Sequence, residues 1–97
     1  MNPLYLIAEI HPHPEKLVEA KQAFDELMVA TLQEPGCLLY DLVVEENSDT
    51  WIMLEKWASV EAWDLHMETA HVKSMNDLAP SISRTATILR FFSPVGA

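Results

Sequence analysis

Between Pro3 and His11 apolar residues take alternate places. Leu4, Leu6, Ala8 and Ile10 fall on one side, and Tyr5, Ile7, Glu9 and His11 on the other. A period of two is that of a strand, here with a second face that is half apolar. After His11-Pro12-His13-Pro14 the period changes. Leu17, Ala20, Phe24, Leu27 and Thr31 recur at helical spacing, with Glu15, Glu19, Lys21, Gln22, Asp25 and Glu26 around the outside. Pro14 suits a first helical turn, and Glu15 complements the helix dipole. The helix is expected to stop near Glu34, because the residue before Pro35 is disfavoured in the helical region and Gly36 can turn left-handed.

Residues 37–45 read as a second strand, with Leu38, Tyr40, Leu42 and Val44 facing one way and Cys37, Leu39, Asp41 and Val43 the other. A polar turn, Glu46-Asn47-Ser48-Asp49, leads to a third strand over 50–57, and the two runs predict a hairpin. Ser59 is a good N-cap for a helix from Val60 to Met67, and Thr69 can cap a further segment to Leu78. One broken helix is therefore expected there. A last strand is expected over 84–92, with Ala86, Ile88 and Phe92 on one face and Thr87, Leu89 and Phe91 on the other.

The order β-α-β-β-α-β predicts an α+β fold, a ferredoxin-like sandwich with a four-stranded antiparallel sheet and helices on one face. Helices on one side leave the other side of the sheet bare, yet the strands are apolar on both. A second copy of the chain is the expected cover, so the pattern predicts a homodimer.

Composition narrows the function. A chain of 97 residues makes one domain, spanning 1–97. Its formal charge of −9 argues against nucleic acid and anionic membranes as partners, since both need clustered positive charge. Only Gly36 and Gly96 are glycines, too few for the loops that cradle phosphates in nucleotide-binding folds. Cys37 stands alone, which excludes an internal disulfide and a cysteine-based zinc site. The first apolar stretch ends at Glu9 with no basic residue before it, unlike a signal peptide, and no apolar run is long enough to span a bilayer. A cytoplasmic location is expected.

The third strand carries the least ordinary pattern. Trp51, Met53, Glu55 and Trp57 share one face, so a carboxylate sits among two indoles and a thioether. Such a group needs a donor or a cavity that admits water or ligand; the plainer alternative is a backbone amide, or Arg84 or Arg90 across the sheet. His66 and His71 are five apart, about 140° around a regular helix, so they share a face only if the helix breaks between them. One imidazole as general base and the other as anchor is the functional reading, and a helix cap or core histidine is the plain one. His11 and His13 project together, but no third ligand has a recognisable spacing, and no metal site is expected. Cys37 reads as a small buried residue rather than a nucleophile.

Glu34-Pro35-Gly36-Cys37, the following Tyr40, Glu55-Lys56-Trp57, and His66 with His71 together resemble the antibiotic biosynthesis monooxygenase domain. Its signature runs E-x-G-C, an aromatic, E-x-W and H-x-x-x-x-H, often ending T-P-H. Here Thr69-Ala70-His71 lacks the proline. The resemblance implies a dimeric α/β barrel and an apolar pocket between the sheet and the second helical region. It further implies a small aromatic substrate, a quinol or polycyclic phenol, oxidised by O2 without flavin, metal or nicotinamide cofactor. Carried onto matching positions, it makes His66 or His71 the base and anchor, with Glu55 orienting an imidazole. Trp57, Trp51 and Met53 would form the wall, and Tyr40 or Arg90 would bond a substrate oxygen.

Related domains suggest rivals. One is an isomerase acting on a phosphorylated autoinducer-2 sugar, which would need basic groups in the pocket. Another is haem degradation with an Asn, Trp and His set, for which no matching Asn is present. From a different class comes a non-catalytic dimeric module that binds a small apolar ligand.

Overall fold

The structure is a computed structural model that describes residues 2–96. Strand β1 (Leu4–Ile10) is followed by a 3-10 turn over Pro14–Lys16 and helix α1 (Leu17–Thr31). A hairpin of β2 (Cys37–Val44) and β3 (Trp51–Trp57) comes next. Helices α2 (Val60–Met67) and α3 (Ala70–Ile82) precede β4 (Ile88–Phe92). The sheet order is β2-β3-β1-β4 with every pairing antiparallel, and this is the ferredoxin-like α+β fold expected from the pattern.

The period-two and helical patterns act as anticipated. Leu4, Leu6, Ala8 and Ile10 are buried against Ala20, Phe24 and Leu27 of α1, and Met53 and Trp57 of β3 complete the same core. Ser59 accepts from the Ala62 N–H at 3.1 Å and caps α2, while Thr69 accepts from the Val72 N–H at 3.3 Å and caps α3. Thr69 itself has extended backbone angles, which is the break expected between the two histidines.

Four expectations need correction. The helix after Pro14 opens with a 3-10 turn, and regular helix starts only at Leu17. In β2, a bulge between Cys37 and Leu39 puts Cys37 opposite Trp57, on the core side, and leaves Leu38 as the extra, exposed residue. Helix α3 runs past Leu78 and through Pro80 to Ile82, because buried Ile82 anchors its last turn and Ser81 Oγ donates to the Leu78 carbonyl at 2.7 Å. The last strand begins at Ile88 instead of residue 84; Pro12 bridges Ser83 and the Arg84 N–H donates to the His11 carbonyl, so residues 84–87 lie outside the ladder.

Gly36 is also needed for a different reason than the one anticipated. Its φ is not positive; among the described glycines only Gly96 has that conformation. A Cβ at Gly36 would instead collide with the Ala62 side chain of α2. The α1–β2 turn thus lies directly against α2, and this close approach brings Glu34 to the helices that carry the histidines.

Tyr5, Ile7, Leu54, Ile52, Leu39, Val43, Ile88 and Phe92 share the sheet face away from the helices, by the strand register. No helix among the described residues is long and apolar enough to cross a membrane.

Candidate active site

Helix α2 ends one residue after His66, so the His66 ring is delivered at the seam between α2, β3 and the α1–β2 turn. It packs tilted against Trp57, with centroids 4.4 Å apart, and meets Tyr40 edge-on at 5.5 Å. Its Nδ1 lies 2.7 Å from Glu34 Oε2. His71 Nε2 lies 2.8 Å from the same oxygen. An ionised carboxylate only accepts, so both nitrogens donate, and the proton of neutral His66 sits on Nδ1. His66 Nε2 has no protein partner among the described residues and keeps its lone pair. This is the logic of an acid-oriented imidazole base: the carboxylate fixes the tautomer and stabilises the cation that forms when the base acts.

Burial opposes that cation. His66 is 3% exposed, and desolvation holds its pKa below the ordinary histidine value, against the hydrogen bond and charge of Glu34. Neutral His66 is the form fit to take a proton.

The cavity beside it has a volume of about 670 Å³. Leu6, Ala8, Met53, Trp63, Met67 and Met75 supply apolar walls, with His66, Glu55 and Tyr40 placed among them. A largely apolar hollow of this size with a few convergent polar groups suits a small multi-ring ligand. Glu55 is 6% exposed, and burial pushes its carboxyl up to about 7, aided by the Glu34 charge and opposed by the Trp57 hydrogen bond. Tyr40 is raised above its usual range by burial and then by Glu55. Burial pushes the Cys37 thiol up to about 11, which disfavours the nucleophilic thiolate.

The residues singled out in the sequence therefore separate. His66, Glu55, Met53 and Tyr40 line the cavity. His71 does not; it borders a smaller hollow between α1 and α3. Trp57 is fully buried behind His66 and donates its indole N–H to Glu55 Oε1 at 3.0 Å. Glu55 thus orients no imidazole, since its bonded partner is the indole two residues along the same strand face. Trp51 packs edge-on against Phe24 at 6.0 Å and is absent from the cavity wall. Arg90 lies on the opposite sheet face, paired with Glu9 at 3.3 Å, because its register partner Ile7 points away from the helices. Nor does Arg84 pair with Glu55: it reaches Asp49 at 3.4 Å. His11 bonds Glu9 at 2.8 Å, and His13 stands 3.8 Å from Glu15.

Sequence reasoning misses two residues. Glu34 reads only as helix punctuation there, although it opens the E-x-G-C motif; the motif is the available signal. Trp63 lines the cavity from α2, where one turn of helix puts it on the same side as His66 and Met67.

Residues 3–78 match the profile of the family described as antibiotic biosynthesis monooxygenase. The chain belongs to that family. It is 41% identical over 71 residues to the Bacillus subtilis (strain 168) protein named "Putative monooxygenase YcnE", covering 70% of this chain and 73% of that one. A solved structure titled antibiotic biosynthesis monooxygenase superposes with a TM-score of 0.88 at 29% identity, covering 95% of this chain and 98% of the other. Rv0793 from Mycobacterium tuberculosis gives 0.91 at 21% identity over 98% and 97% of the two chains, which shows the shared fold. Membership and relatives together support a monooxygenase-like function. In this family member, the E-x-G-C and H-x-x-x-x-H motifs meet in space at one carboxylate oxygen.

Proposed function

We infer that the protein is a cofactor-independent monooxygenase that oxidises a quinol or polycyclic phenol with dioxygen. The observation that carries this reading is the arrangement at His66, a neutral imidazole whose Nδ1–H is held by Glu34 in the wall of an apolar cavity. His66 Nε2 takes the proton of a phenolic hydroxyl. The resulting phenolate is electron-rich enough to pass an electron to dioxygen, and recombination of the two radicals puts a peroxide on a ring carbon. Loss of water leaves a carbonyl, so RH2 plus O2 gives RO plus H2O, with every electron supplied by the substrate. Glu55 supports the anionic steps: at neutral pH it is partly protonated and can donate to a developing oxyanion. Tyr40 and Met53 shape the wall, and Trp57 backs the histidine from behind.

A homodimer in the cytoplasm completes the proposal. The open sheet face offers Leu39, Val43, Ile88 and Phe92, each exposed in the single chain, for burial against a twin subunit. The phosphorylated-sugar alternative has less support, because Arg84 is the one Lys or Arg lining the cavity among the described residues, and it is engaged with Asp49.

Oxygen uptake with a panel of reduced quinones and polycyclic phenols tests the reading. Chelator-resistant consumption that falls to background in His66→Ala is expected. Uptake no faster than spontaneous autoxidation would reduce the cavity to a binding site.

A further inference from the structure

One ligand atom from each of Glu34, His66 and His71 lies within 4.8 Å of the other two. The carboxylate uses its oxygens unevenly. Both imidazoles converge on Oε2, at 2.7 and 2.8 Å, while Oε1 has no hydrogen-bond partner among the described residues. Convergence on one oxygen brings a ligand atom of each of the three residues close together, and two imidazoles with one carboxylate are a ligand set for a divalent transition cation.

We propose that Glu34, His66 and His71 form a binding site for a divalent transition cation such as zinc, behind the cavity. Zinc holds nitrogen and oxygen ligands at about 2.0–2.2 Å, so tetrahedral neighbours stand about 3.4 Å apart. The present N···O separations of 2.7 and 2.8 Å need to open by about 0.6–0.7 Å. Entry is from the α1–α3 side. His71 is 26% exposed and borders the small hollow with Ala23, Glu26, Ser74 and Leu78, from which a water can complete the coordination shell. Glu26 adds negative charge at that mouth, and the acidic chain attracts cations.

A neutral imidazole that gives its ligating nitrogen to the metal carries its proton on the other nitrogen. For His66 this moves the proton to Nε2, the atom facing the reaction in the proposed function, so the metal-bound histidine can donate but no longer accept. The site is thus independent of the monooxygenase reading, while its inhibitory effect rests on it.

Titration of the chelator-stripped full chain with zinc, and with cobalt as a spectroscopic probe, tests the proposal. One zinc per chain is expected, with visible cobalt bands of a low-coordinate nitrogen–oxygen site. Glu34→Gln, which keeps an acceptor for both rings, and His71→Ala are each expected to weaken zinc by about 100-fold. A His11→Ala/His13→Ala double variant is expected to bind as the parent does. Absence of saturable binding, equal affinity in Glu34→Gln, or loss of binding only in the His11/His13 variant overturns the site. Saturable binding that leaves oxygen uptake unchanged overturns the role of His66 as base while retaining the site.

Discussion

Replacing Glu55 with glutamine should change stability in a way that depends on pH, and the structure gives both sign and size. Glu55 lies 6% exposed between the sheet and α2, with the Trp57 indole donating to Oε1. Burial raises its carboxyl from 4.5 to about 7 in the folded chain. A raised folded pKa means that the folded state holds the proton more tightly. The associated stability is fully present below 4.5 and is lost as pH rises through about 7. At about 1.4 kcal/mol per pH unit, the wild type loses about 3 kcal/mol across that window. The Glu55→Gln side chain can still accept from the indole but has no charge to desolvate, so the variant escapes the loss. With a urea dependence of about 1–3 kcal/mol per molar, the midpoint difference between variant and wild type should move by roughly 1–3 M between about pH 4.5 and 8.5. Tryptophan fluorescence during urea unfolding measures this, at one fixed protomer concentration so that any association contributes equally. A difference that stays flat over the window, or that turns against the glutamine variant as pH rises, refutes the claim that Glu55 is held in a desolvated, protonatable state.

Three further outcomes are expected. Trp57→Phe removes the indole donor to Glu55, so its destabilisation should grow as pH rises from about 5 to 8 and should shrink in the Glu55→Gln background, measured by the same unfolding cycle. Gly36→Ala, by forcing a methyl into Ala62, should cost about 1–3 kcal/mol and displace Glu34 from the histidines, read as a lowered melting temperature together with altered histidine proton resonances. Leu54→Arg places a charge in the middle of the bare sheet face, and sedimentation at micromolar concentration should show monomer where the parent sediments as a dimer; two species of equal mass would refute the proposed use of that face.

The chain's local periodicities determined much of this molecule. Alternation in β1 and β3, helical spacing from Leu17 to Thr31, and the caps at Ser59 and Thr69 all act through neighbours within a turn or a strand pair. They suffice for the element order, the sheet, and the grouping of Glu55 with Trp57 on one face. The motif resemblance likewise points to His66 and His71. Tertiary structure alone decided which groups touch. Glu34 lies 32 and 37 positions from its two imidazoles, and only the close packing of Gly36 on Ala62 brings that turn within reach of α2 and α3. The register between β1 and β4 sends Arg90 to the far face, and helical packing gives His66 the cavity while His71 faces the α1–α3 groove. Periodicity fixes the direction of a side chain relative to its own element. What stands opposite depends on how distant elements dock, which no local spacing encodes.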